Sequence, residues 1–123
     1  MICIVFLLRR RPDLSVDEFH RYWREEHGPL VRGHAAALGI VRYSQLHSLD
    51  PATSDLLRAG RDCEPAPWDG VAVVWFDSID ALAEISTTPA AQAAQRALLE
   101  DERRFLDLPR CQIWFTEDHP VIA

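Results

Sequence analysis

The chain has 123 residues, 48% of them hydrophobic and 26% charged, which suits one globular domain, residues 1–123, with a core of its own. A formal net charge of −6 excludes the basic footprint of a nucleic-acid-binding protein, and Arg9-Arg10-Arg11 reads as a solvated strand end. Three widely spaced cysteines make neither a disulfide framework nor a Cys-x-x-Cys unit and fit a reducing cytosol.

The chain opens with Met1-Ile2-Cys3-Ile4-Val5-Phe6-Leu7-Leu8-Arg9, a strand with no polar side chain on either face before Arg9. Continuous apolarity implies a strand covered on both faces. The stretch is too short to cross a membrane and has no charged segment before it, so no signal peptide or membrane contact is expected and the expected location is cytoplasmic. A turn at Arg11-Pro12-Asp13-Leu14 leads into Ser15-Val16-Asp17-Glu18, a capping box that starts a helix running to His27. Gly28-Pro29 is expected to break it, with Gly28 as a left-handed C-cap and a second helix restarting at Pro29 and ending at Leu38.

Ile40–Leu49 reads as a second strand. Asp50–Asp69 is a loop of about 20 residues, long enough to be a lid or mobile segment, with room for a short turn at Leu56-Leu57. Val71–Phe76 is a third strand, again apolar on both faces. Asp77-Ser78 caps a short helix over Ile79–Ser86, and Thr88-Pro89 starts an alanine-rich helix that reaches Phe105. Arg110–Glu117 is the last strand. The order β–α–β–β–α–β predicts an α+β, ferredoxin-like fold: four antiparallel strands with both helical layers on one side. The sheet's other apolar face then needs a partner, and a second copy of the chain gives a homodimer.

At about 100° per residue, Val16, Phe19, His20, Trp23, His27 and Leu30 share one stripe facing the sheet, while Tyr22, Arg24 and Glu25 lie off it. His27 and His20 therefore face the interior. Each reads either as a structural histidine packed among aromatics or as a proton-transfer group. The negative end of the helix dipole would raise the His27 pKa and burial would lower it.

The segment Phe19-His20-Arg21-Tyr22-Trp23-Arg24-Glu25-Glu26-His27-Gly28-Pro29-Leu30 resembles the Phe-x-x-Tyr-Trp-x-x-x-His-Gly-Pro-Leu signature of the EthD-like family of dimeric α+β barrels. Leu7-Leu8-Arg9-Arg10-Arg11-Pro12, Phe76-Asp77-Ser78-Ile79-Asp80-Ala81-Leu82 and Asp101-Glu102-Arg103-Arg104-Phe105 match at the corresponding places, and only the Asp50–Asp69 loop falls outside. The resemblance implies a dimer closed through its sheets, with a pocket between each sheet and its own helices. It also implies enzymes acting on aromatic, polyketide-like or other hydrophobic small molecules: oxygenases, cyclases, dehydratases or decarboxylases.

On that basis His27 is the expected general acid/base, and Tyr43 the expected second catalytic group, holding a developing enolate oxygen. Phe19, His20, Trp23, Trp75 and Asp77 are the expected substrate-binding side chains, with His47 a further candidate. Tyr43 shares strand parity with Val41, Gln45 and His47. No metal is expected, since His20 and His27 would lie about 10.5 Å apart along a helix. No flavin, nicotinamide or other cofactor site is expected either. The alternative function is a non-catalytic dimer that binds a hydrophobic ligand.

Overall fold

A computed structural model describes residues 1–122. The strands β1 (Ile2–Leu8), β2 (Arg42–His47), β3 (Gly70–Phe76) and β4 (Gln112–Glu117) form one sheet in the order β2-β3-β1-β4. All three pairings are antiparallel, which is the ferredoxin-like arrangement.

The first crossover begins with α1 (Val16–Tyr22), whose Ser15–Glu18 capping box forms as the sequence predicts: the Glu18 amide donates to Ser15 Oγ and the Ser15 amide to Glu18 Oε1, each at 3.1 Å. The expected break at Gly28 does not occur. Trp23–His27 form a single wide π-turn, and the chain passes through Gly28 at φ −54° straight into α2 (Gly28–Leu38). The wider turn accommodates the Pro29 ring, which a regular turn would push against the carbonyl four residues back. The left-handed cap falls instead at Gly39, φ +74°.

The long loop contains a 3₁₀ turn at Pro51–Ser54 and a short helix, α3 (Asp55–Ala59). It returns at Asp69, whose carboxylate accepts from the Arg10 backbone amide at 2.8 Å and from its guanidinium at 2.7 Å. The second crossover is α4 (Ile79–Ile85) and α5 (Pro89–Phe105), capped by Ser78 and Thr88.

Strand register divides the sheet into two faces. Phe6 lies opposite Ala72 and Ile4 opposite Val74, and β2 sets Tyr43, Gln45 and His47 beside Val74, Ala72 and Gly70. These side chains therefore share the face that meets the helices. There Leu8, Phe19, Trp23 and Phe105 are fully buried and make the main core with Ala72 and Leu106. Burying each of the large ones contributes about 1.5–3 kcal/mol. Val5, Leu7, Val71, Val73 and Trp75 occupy the opposite face, where Leu46 and Trp114 remain 53% and 46% exposed.

Trp23 fixes how closely the first helix approaches the sheet. A Cβ on Gly70 would stand 2.5 Å from Trp23 Cζ3 and 2.8 Å from Cη2, so the indole occupies the space that any other residue would fill. Gly70→Ala should therefore destabilise the fold by about 1–3 kcal/mol through overpacking. Urea unfolding measures this, and an unchanged midpoint would contradict the packing.

Candidate active site

α1, the π-turn and α5 bring together three polar side chains inside apolar surroundings. His27, only 5% exposed, ends the π-turn beneath α5. Its Nδ1 lies 2.7 Å from Asp101 Oδ2, and the Tyr22 hydroxyl donates to Asp101 Oδ1 at 2.6 Å. A carboxylate between two such partners accepts from both, so His27 carries its proton on Nδ1 and its Nε2 is a lone pair. Phe105 packs against both rings, at 4.9 Å from His27 and 5.3 Å from Tyr22. Burial pushes the His27 pKa below its ordinary value more strongly than Asp101 raises it. The imidazole is thus neutral and basic at Nε2.

Tyr22, placed off the buried stripe by a sheet-only helical wheel, is half-buried because α5 covers the flank of α1 as well.

His27 lines a cavity of about 80 Å³ between sheet and helices, with Phe6, Trp23, Tyr43, Glu102 and Phe105 among its walls. Glu102 is the residue that reading the sequence misses. It sits on α5 between Leu98 and Leu106, one helical turn to each side, and both leucines line the same cavity. Desolvation first, and then the neighbouring Asp101 charge, raise its carboxyl pKa to about 7. Among the described residues its carboxyl has no hydrogen-bond partner. An apolar helical stripe interrupted by one acid is the signal that could have revealed it.

Tyr43, on β2, is half-buried in the same wall, and desolvation raises its pKa. Gln45 controls its hydroxyl. Gln45 Nε2 donates to the Trp23 carbonyl at 2.8 Å, which fixes the nitrogen end of the amide, and also to Tyr43 Oη at 3.0 Å. Since the Tyr43 oxygen accepts from Gln45, its own O–H is free to donate toward the cavity. The oxygen end of Gln45 meets His47 Nε2 at 2.8 Å, so that nitrogen bears a proton. His47 Nδ1 then accepts from His20 Nδ1–H at 2.7 Å. Burial and the facing His20 lower the His47 pKa to about 4, consistent with a neutral pair.

The expected site residues thus separate into three groups. His27, Tyr43 and Trp23 meet at the cavity. Phe19 lies in the core behind it, and His20 joins His47 at the far end of the Gln45 chain. Trp75 points to the opposite sheet face, where its indole N–H donates to Asp118 at 2.9 Å and the Arg42 guanidinium lies 4.5 Å from its ring. Asp77 is exposed beyond the end of β3. Single-strand parity did not say which face of β3 would turn inward. The 50–69 loop lines neither this cavity nor the chamber beside Tyr43. Among the described residues, no three His, Cys, Asp or Glu side chains are grouped to hold a metal ion.

The Glu102 carboxyl has a pH consequence. Its folded pKa of about 7 exceeds the ordinary 4.5, so the folded chain keeps a proton that the unfolded chain has lost. Stability therefore falls as pH rises from the lower value through the upper. Relative to Glu102→Gln, the wild type should lose on the order of 2 kcal/mol between pH 5 and pH 8. Parallel urea curves at both pH values would show a normally ionised Glu102 instead.

Comparison with known proteins places this geometry in a family. Residues 11–109 match the family model of the EthD domain. The chain is 24% identical over 121 residues to dehydratase ustZ of Ustilaginoidea virens, spanning 94% of this chain and 84% of that one. An EthD-family protein from Bacillus halodurans superposes with a TM-score of 0.61 at 13% identity, over 97% of this chain and 100% of the other. A dimeric protein of ferredoxin-like fold from Bacteroides fragilis superposes with a TM-score of 0.58 at 15% identity, over 95% of each chain. The structural likenesses establish the fold; the match over most of the length establishes the family, and the chain belongs to the EthD domain family.

Proposed function

We propose that this protein is a small acid–base enzyme acting on a hydrophobic, aromatic or polyketide-like molecule without a cofactor, and that it eliminates water from a β-hydroxy carbonyl substrate. The observation that carries this reading is the pairing, in one apolar cavity, of an imidazole with a free Nε2 and a lowered pKa and a carboxyl group whose pKa is raised to about 7. The likeness to a dehydratase supports the same reaction class.

In this reading His27 Nε2 removes the proton from the carbon next to the carbonyl, with Asp101 holding the ring and balancing the imidazolium that forms. The Tyr43 O–H donates to the enolate oxygen. Glu102 gives its proton to the departing hydroxyl, so one C–H and one C–O bond break, a C=C bond forms and water leaves. His27 then holds the extra proton and Glu102 is a carboxylate; a proton passing from one to the other resets the site. Two titratable groups with pKa values driven into opposite protonation states are what such chemistry requires.

The working unit is a dimer joined through the sheet face that carries Val5, Val73, Trp75 and Trp114. Trp114→Glu should yield a monomer in sedimentation experiments. A wild-type chain that stays single at micromolar concentration would rule out this assembly.

A panel of aromatic β-hydroxy ketones, followed by the absorbance of the conjugated product, tests the reaction. His27→Ala should lower turnover by about 10²–10⁴ while leaving the circular dichroism spectrum unchanged. Activity should fall at low pH as His27 is protonated below its ordinary value and fall again above about 7 as Glu102 ionises. A folded His27→Ala protein that keeps full activity would refute the mechanism. No turnover of any member, with tight binding, would favour a binding protein.

A further inference from the structure

We infer that the protein selects substrates bearing a carboxylate, which docks between Arg24 and Arg32 while the apolar part of the molecule enters toward His27. The inference rests on the acid–base reading above, whose inner cavity it supplies with an entrance and a substrate class.

A second chamber of about 440 Å³ adjoins the inner cavity. The two share Val31, Ile40 and Tyr43 as walls, so the same residues line both spaces. The inner space alone is too small for a polycyclic or long-chain substrate, whereas the outer one falls within the usual range of about 300–1,000 Å³ for ligand sites. A substrate whose apolar part passes these shared walls toward His27 would leave much of its body in the outer chamber.

The chemistry of that chamber differs from the rest of the molecule. The chain carries 19 acidic against 13 basic side chains, and every basic one is an arginine. Three of those arginines, Arg24, Arg32 and Arg42, line the outer chamber, and no Asp or Glu does. Arg42 is engaged with the Trp75 ring, 4.5 Å from its centroid. Arg24 makes one long contact with Glu25, at 3.9 Å, and Arg32 makes no ion pair among the described residues. Two guanidinium groups are thus available.

Their spacing sets the width of the site. Arg24, Gly28 and Arg32 follow one another at four-residue intervals along the helical run through the π-turn, so the arginine backbones stand about 12 Å apart and only their long side chains can converge on one ligand; all three residues line the chamber. Gly28 stands between the arginines with no side chain. A Cβ there would lie 3.2 Å from Gln45 Nε2, so the glycine lets the Gln45 amide reach the Trp23 carbonyl beneath. Two exposed arginines thus line the chamber together with Tyr43 and Gln45. Guanidinium groups bind planar carboxylates bidentately and are weakly hydrated, so this chamber suits a carboxylate better than a neutral polar group.

Calorimetry with 2-naphthoate and 2-naphthamide, which share a ring system and differ in charge, tests the inference without any turnover. The wild type should bind the acid at least tenfold more tightly than the amide, and added salt should reduce that preference. Arg24→Gln/Arg32→Gln should abolish the preference while leaving amide binding and the unfolding midpoint unchanged. Equal binding of the two ligands, no binding of either at millimolar concentration, or a preference that survives in the double variant would overturn it. His27→Ala should keep the preference intact, so a failure of the acid–base mechanism and a failure of the arginine site register in different measurements.

Discussion

The contact between Trp23 and Gly70 is the constraint on which the site depends. The indole is 1% exposed and lies where a β3 side chain would otherwise stand. That places the first helix against the β2–β3 side of the sheet, with the Trp23 and His47 rings 4.3 Å apart. The Trp23 carbonyl, in the wide π-turn, accepts from the Gly28 amide and from Gln45. One residue therefore sets the helix height through its ring and the Gln45 orientation through its backbone. The Tyr43 hydroxyl and the position of His27 four residues later both follow from it.

The polar groups in the cavity carry an energetic cost that the fold offsets unevenly. Asp101 is satisfied by His27 and Tyr22, two good donors, so its burial is compensated. Glu102, the next residue of the same helix, has no side-chain hydrogen-bond partner among the described residues, and desolvation raises its pKa to about 7, which favours the protonated form. Two adjacent carboxyls on one helix thus have different surroundings: Asp101 accepts from two donors, while desolvation and then the Asp101 charge raise the Glu102 pKa. A cavity lined only for stability would carry a leucine at Glu102, in line with Leu98 and Leu106. The presence of an ionisable group there is the feature most in need of a functional explanation.

Much of this architecture was legible in the residues. Alternating or continuous apolarity identified all four strands, and Ser15, Ser78 and Thr88 marked the helix starts because their hydroxyls cap free amides. Period-two parity grouped Tyr43, Gln45 and His47 on one face of β2. The helical wheel placed His27 and Trp23 inward. What escaped was tertiary. A Gly-Pro pair reads as a helix end unless the turn before it widens, and nothing local announces a π-turn at Trp23–His27. Sequence alone does not say which face of β3 turns inward, and register places Trp75 on the outward one. Glu102 was hidden in Glu100-Asp101-Glu102-Arg103-Arg104, a run whose ordinary reading is a solvated helix face.

The two chambers would let the proposed reaction and the proposed carboxylate recognition occupy different surfaces. In the proposed mechanism the imidazole is neutral and the carboxyl protonated, and both conditions require a dry, low-dielectric pocket. An arginine pair inside that pocket would undo the second condition, because a nearby cation favours the carboxylate and lowers its pKa. Arg24 and Arg32 sit on the open side of Tyr43, where solvent screens their effect on Glu102 while leaving them able to meet an anion. Tyr43 lines both spaces, and its hydroxyl oxygen accepts from Gln45, which leaves its own proton to donate. On the proposed reading, charge recognition and proton transfer coexist in a domain this small because one half-buried phenol stands between them.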